Sequence, residues 1–222
     1  MATNTVENYL KSIFHLSTHP GEQPSSARVP TTQIAEHLGV KSSTVTDMIR
    51  KLEERKLVSY TKYQGVTLTA HGKAMALDIV RKHRLWEVFL VEKLGFGWDE
   101  VHDIAEQLEH VQSEDLVNRL DDFLDNPAQD PHGDPIPDRD GSFQPVRQQL
   151  LATLREGDAA VISGVTADEP SLLHFLEQHS LQLKTPVVVR QIISFDDSMV
   201  LEVANRTVSL SHKMASHIFV TK

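Results

Sequence analysis

Thr31-Thr32-Gln33-Ile34-Ala35-Glu36-His37-Leu38-Gly39-Val40-Lys41-Ser42-Ser43-Thr44-Val45-Thr46-Asp47-Met48-Ile49 is the stretch whose reading decides the fold. Ile34, Ala35 and Leu38 recur at helical spacing and form the inward side of a short helix. Gly39 permits a left-handed turn, and Ser42 or Ser43 caps a second helix that buries Val45, Met48, Ile49 and Leu52. Small Ala35, turn-forming Gly39 and branched Val45 at these separations resemble a helix-turn-helix, whose second helix enters the DNA major groove. An ordinary helical hairpin is the alternative. The residues just downstream weigh against it. Segments 57–61 and 66–69 alternate around Lys62-Tyr63-Gln64-Gly65, a β-hairpin signal with glycine in the turn. Helix, turn, helix and hairpin in that order describe a winged helix.

Upstream, Val6, Tyr9, Leu10, Ile13, Phe14 and Leu16 mark an amphipathic first helix, closed by the loop residues Pro20-Gly21 and Pro24-Ser25-Ser26. The charge of the chain is unevenly spread. The whole carries −9, but residues 1–84 hold 12 Lys+Arg against 7 Asp+Glu, and residues 85–222 hold 10 against 24. A basic module of +5 is therefore joined to an acidic body of −14, and the basic module is the candidate nucleic-acid partner. Lys41, Arg50, Lys51, Arg55, Lys56 and Lys62 are candidate phosphate contacts, which position a protein without reading sequence. Ser42, Ser43, Thr44 and Thr46 lie on the first turns of the recognition helix, where hydroxyls and methyls meet base edges. The alternative for 51–56 is a solvated helix end.

Downstream, a long helix is expected over 70–94, carrying His83 and Glu87 four residues apart, and Gly95-Phe96-Gly97 breaks it. Two further helices follow, one bearing residues 102–110 and one opened by Ser113-Glu114-Asp115. Their apolar surface exceeds what a winged helix covers and suggests a dimerisation body. Residues 126–144, with four prolines and two glycines, read as a boundary or linker. From about residue 150 the pattern becomes short β-rich runs around one helix near 171–178, as in a small SH3-like barrel. The expected fold is mainly α. It has a winged helix-turn-helix domain (1–72), a helical metal-binding and dimerisation domain (73–143) and an SH3-like C-terminal domain (144–222). The 222 residues contain no cysteine and no long apolar run, so disulfides, thiolate chemistry and a membrane span are not expected, and a cytoplasmic protein is.

The chemistry concentrates in His102-Asp103-Ile104-Ala105-Glu106-Gln107-Leu108-Glu109-His110. On a helix, His102, Glu106, Glu109 and His110 project toward one side, half of a metal site. His83, Glu87 and Asn8 are the other candidate ligands. Imidazole, carboxylate and amide oxygen without sulfur favour Mn²⁺ or Fe²⁺, although Zn²⁺, Co²⁺ and Ni²⁺ also bind such sets. Twelve histidines make chance clusters common. A rival of another class, a helical di-metal carboxylate enzyme, would want Glu-x-x-His motifs from two helices, whereas this cluster has Glu109 and His110 adjacent.

Val6-Glu7-Asn8-Tyr9-Leu10, the winged helix, Arg81-Lys82-His83-Arg84-Leu85-Trp86-Glu87, Val101-His102-Asp103 and Glu109-His110-Val111 together resemble the diphtheria toxin repressor family of iron-dependent repressors and manganese transport regulators. Pro131-His132-Gly133-Asp134-Pro135-Ile136-Pro137 is similar to its interdomain signature, and the tail to its FeoA-like SH3 domain. The resemblance implies a homodimer that represses metal-uptake genes by binding a palindromic double-stranded DNA operator. It further implies two ions per subunit, one at Asn8, Glu106, Glu109 and His110 and the other at His83, Glu87 and His102. Glu106 in place of the cysteine of iron-type members is similar to the manganese type, with Fe²⁺ the alternative. Asn8 and Lys11 depart from the acidic residues of that type. Asp130, His132, Asp168 and Glu169 are further candidates to complete the second site.

Overall fold

A computed structural model describes residues 4–18, 27–98, 100–144, 148–165 and 170–222. The expected loop at 20–26, Asp99, and the candidate ligands Asp168 and Glu169 lie outside these residues. The chain divides into two compact units. One comprises Met1–His83, Leu108–Gln112 and Pro137–Phe143, the other Arg84–Gln107, Ser113–Ile136 and Gln144–Lys222.

In the first unit, α1 (Asn4–Ser17), α2 (Thr31–His37) and α3 (Ser42–Glu54) precede a hairpin of β1 (Val58–Thr61) and β2 (Gly65–Leu68), and α4 (Ala70–Leu94) follows. Leu10, Ile13, Ile34, Val45, Ile49, Leu52 and Val66 share one core, so the apolar stripes of all three helices converge under the hairpin. Gly39 takes φ +63° in the turn between α2 and α3, as expected. The start of α3 differs from expectation. Lys41 is its N-cap, with extended backbone and no side-chain cap hydrogen bond, so Ser42 and Ser43 lie inside the first turn with exposed side chains. The antiparallel wing pairs Val58 with Leu68 and Thr61 with Gly65, and Val29 adds a bridge to Val66. Thr69 Oγ1 accepts from Gly72 N at 3.0 Å, which starts α4. A Cβ on Gly72 would lie 1.9 Å from the Leu57 carbonyl oxygen, so only glycine lets α4 begin this close to the wing.

In the second unit, the later turns of α4 pack with α5 (Val101–Leu108) and α6 (Glu114–Phe123). Leu85 and Val88 meet Val117, Leu120 and Leu124, while Leu90 meets Val101 and Ala105. Ser113 caps α6 by accepting from Leu116 N at 3.3 Å. The α5 helix stops at Leu108, so Glu109 and His110 sit in the turn after it, not on one continuous helical face with His102 and Glu106.

The C-terminal part holds β3 (Gln149–Leu150), a 3₁₀ turn (Leu151–Thr153), β4 (Ala159–Val165), α7 (Pro170–Gln178), β5 (Pro186–Ile193), β6 (Ser198–Val203), β7 (Arg206–Leu210), α8 (His212–Ala215) and β8 (Ile218–Thr221). The strands form one antiparallel sheet in the order β3-β8-β4-β5-β6-β7, wrapped around Ile162, Leu176, Leu181, Val189, Leu201 and Val220. This is the small SH3-like barrel expected, with α8 as a second helix between its last strands.

Residues 130–136, within the expected boundary segment, are not a loose linker. Asp130 Oδ1 accepts from His132 N (2.8 Å) and Asp134 N (3.0 Å), and Asp130, His132 and Ile136 are buried. The bulge in β4 between Ile162 and Gly164 receives the turn: Val165 N donates to the His132 carbonyl at 2.6 Å. Gly133, at φ +90°, lies so close that a Cβ there would be 2.2 Å from Ser163 O and Gly164 Cα. Trp98 is buried within the barrel's core cluster.

Candidate metal centre and nucleic-acid interface

In the first unit, five ionisable side chains converge on the turn that follows α5. On α1, Glu7 and Lys11 are one turn apart and both buried. Lys11 Nζ donates to Glu109 Oε2 at 2.7 Å, and His83 Nδ1, from α4, lies 2.6 Å from the same oxygen. Burial pushes the Glu109 carboxyl up, but the His83 hydrogen bond and the charges of Lys11 and His83 outweigh it and hold Glu109 below the usual carboxylate range. Glu109 is only 1% exposed, and its other oxygen, Oε1, has no hydrogen-bond partner. Such a buried acceptor is costly unless something fills it.

What faces Glu109 Oε1 is His110 Nε2, at 3.9 Å. His110 Nδ1 is 2.6 Å from Glu7 Oε2, and Gln112 Nε2 donates to Glu7 Oε1 at 3.1 Å. Glu109 Oε1 and His110 Nε2 are the atoms that would hold a divalent cation here, supplying one anionic oxygen and one imidazole nitrogen. The donor set, oxygen and imidazole nitrogen without sulfur, suits Mn²⁺, Fe²⁺ or Zn²⁺.

A second cluster lies wholly within the other unit. Glu87, Asp130 and His132 bring one ligand atom each to within 4.8 Å of one another, all buried. His132 Nε2 is 3.0 Å from the Trp98 carbonyl, an acceptor only, so Nε2 carries the proton and Nδ1 the lone pair. That Nδ1 lies 3.8 Å from Glu87 Oε2. Neutral His132 thus turns a lone pair toward the Glu87 carboxylate, a donor pair suited to a cation. Asp130 is pushed up to about 7 by burial and by its neighbours Asp134 and Glu87. Arg84 offsets part of the charge, with Nε 3.5 Å from Asp130 Oδ2.

Glu109 and His110 come together with His83. His83 and Glu87 stand one turn apart on α4, and Glu87 Oε1 is 3.5 Å from His102 Nδ1. Glu106 turns to His102 at 3.6 Å, and both are about half exposed. Asn8 is exposed on α1. Reasoning from sequence missed Glu7 and Lys11 as partners of the cluster. Their signal was available: Glu7, Lys11 and Phe14 lie on one helical row, and Phe14 is core.

The expected DNA face is open. Lys41, Ser42, Ser43, Thr44, Arg50 and Lys62 are exposed and Thr46 partly so. Thr46 Oγ1 donates to the Ser42 carbonyl at 2.9 Å, which leaves its methyl, not its hydroxyl proton, for a base. At the wing tip Tyr63 is 92% exposed, with the Lys62 ammonium 4.9 Å from its ring centre.

Comparison with known proteins bears on both features. Residues 1–66 match the N-terminal DNA binding domain of iron dependent repressors, residues 69–138 their metal binding and dimerisation domain, and residues 149–222 the FeoA domain. The iron-dependent repressor IdeR of Mycobacterium leprae (strain TN) is 40% identical over 134 residues, 60% of this chain and 56% of that protein; the match thus spans little more than half of that relative. A manganese-dependent transcriptional repressor solved in complex with manganese superposes with a TM-score of 0.80 at 37% identity, covering 97% of this chain and 98% of that one. ScaR with bound Zn²⁺ gives 0.72 at 32% identity, covering 98% and 99%. With its three domains matched in order and whole-length likeness at this identity, the chain belongs to the diphtheria toxin repressor family of iron-dependent repressors.

Proposed function

We propose that this protein is a homodimeric, cytoplasmic transcriptional repressor that binds a palindromic double-stranded DNA operator when Mn²⁺ is bound, and so controls uptake of that metal. The observation that carries this reading is the unpartnered, buried Glu109 Oε1 facing His110 Nε2 beside a helix of the DNA-binding domain. The domain limits 1–72, 73–143 and 144–222 go with it. Glu109 and His110, with Glu106 and Asn8, are proposed for the sensing ion. Glu87 is proposed for a second ion with His83 and His102, and the buried Asp130 and His132 are equally fitted to complete that set. Lys41, Ser42, Ser43, Thr44, Thr46, Arg50 and Lys62 form the proposed DNA contact. Exposed Leu94, Leu116 and Phe123 supply apolar surface suited to a second copy. No helix among the described residues is long and apolar enough to cross a membrane.

A bound divalent cation would supply positive charge between Glu109 and His110. The protein's own part is to make that charge favour one arrangement of α1, through Glu7 and Lys11. A metal shifts the DNA-competent population only by its differential affinity for that state. Operator binding followed by fluorescence anisotropy, titrated with Mn²⁺, anaerobic Fe²⁺, Co²⁺ and Zn²⁺ side by side, tests the reading. Tight binding only with metal is expected, and equal affinity with and without metal would sink it. His110→Ala should abolish the metal dependence while the protein stays folded. An Fe²⁺-responsive repressor is the second reading, favoured by the 40% identity to IdeR and by neutral Asn8.

A further inference from the structure

We propose that Glu7 is the positioning residue of the sensing site: its carboxylate holds His110 in the Nδ1–H tautomer and so dedicates Nε2 to a divalent cation. The inference deepens, and rests on, the reading of Glu109 and His110 as metal ligands. Three observations carry it. Glu7 is 5% exposed although charged, and its two oxygens are both engaged, Oε2 by His110 Nδ1 at 2.6 Å and Oε1 by Gln112 Nε2 at 3.1 Å. A carboxylate only accepts, so the shared proton is on Nδ1 and the lone pair of neutral His110 is on Nε2. Nε2 is the nitrogen that faces the unpartnered Glu109 Oε1, at 3.9 Å.

The same logic appears at His132, where the Trp98 carbonyl fixes the opposite tautomer and leaves Nδ1 toward Glu87. Each ring thus turns its bare nitrogen toward a carboxylate, and in each the other nitrogen is held by a fixed acceptor. A carboxylate behind a ligating imidazole also raises its basicity. Because Glu7 lies on α1 among Val6, Tyr9 and Leu10 of the winged-helix core, the residue that orients the ligand belongs to the DNA-binding element itself. In this arrangement α1 is coupled to the site through Glu7 and His110, without requiring the exposed Asn8.

The test uses the full-length protein with ¹⁵N-labelled histidine. Long-range ¹H–¹⁵N correlation spectra of the metal-free form should show His110 protonated on Nδ1, assigned by comparison with His110→Gln. Glu7→Gln keeps the side-chain shape but offers a weaker acceptor. It should shift His110 toward a tautomer mixture and weaken Mn²⁺ binding, measured by the electron paramagnetic resonance of free Mn²⁺, about 10- to 100-fold. Wild-type His110 protonated on Nε2 overturns the proposal without need of any variant. Unchanged tautomer and unchanged Mn²⁺ affinity in Glu7→Gln also overturn it, while leaving the metal-site reading intact. No Mn²⁺ binding by the wild type overturns both.

Discussion

Asp130→Asn should stabilise the metal-free protein at neutral and alkaline pH, against the usual expectation for removing a buried, hydrogen-bonded carboxylate. Asp130 is 3% exposed, accepts two backbone N–H groups through Oδ1, and is raised from 3.8 to about 7 by burial first and by Asp134 and Glu87 next. A carboxyl raised on folding binds more protons in the native than in the unfolded chain between those two values. Stability contributed by the group therefore falls as pH rises from about 4 to about 7, and levels off above. The asparagine keeps the acceptor for His132 N and Asp134 N and never ionises. Between ~pH 5 and ~pH 8, about two pH units of that fall remain, at about 1.4 kcal/mol each. The variant should gain about 3 kcal/mol on the wild type over that interval. This is a ceiling, because Arg84 and His132 can reorient to meet the charge. Urea unfolding of both proteins at the two pH values, with a chelator present, measures it. A difference between the two proteins that stays constant with pH would refute the argument that Asp130 is folded as the neutral acid. The same titration makes metal capture by Glu87, Asp130 and His132 release a proton below about pH 7.

Gly133→Ala places a methyl 2.2 Å from Ser163 O and Gly164 Cα at φ +90°, and should cost about 3 kcal/mol or more, read as a fall in the thermal midpoint. Lys62→Ala and Arg50→Ala should each lower the slope of log affinity against log salt by about 1 without altering stability, because both side chains are exposed.

Much of this fold was legible because it follows local rules. Gly39 with the stripes at Ile34 and Val45 yields the helix-turn-helix, Gly65 the wing, and Ser113 the start of α6. The helix over 70–94 has the expected ends. What periodicity could not give was the end of α5. Residues 109 and 110 have helical spacing from 102 and 106, and no glycine or proline marks the stop at Leu108; their partners, Glu7, Lys11 and His83, are 26 to 103 positions away. The seating of residues 130–136 was hidden for a similar reason. Proline and glycine there indicate a turn, but not whether it is free or seated on a bulge in β4. The candidate ligands were identifiable by type, and their grouping was set by tertiary contacts that spacing does not encode.

The seat of Gly133 on Gly164 and the burial of Trp98 in the barrel core bear on how this chain can be rearranged. A barrel tied in this way is a poor cassette. Deleting residues 144–222 would strip the cover from Trp98 and remove the strand that takes the His132 carbonyl. Grafting another barrel in its place would succeed only with a small residue at position 164 and a matching bulge. Insertions and tags belong instead near Asp140, on an exposed turn in which Asp138 Oδ1 accepts from Asp140 N and Ser142 N.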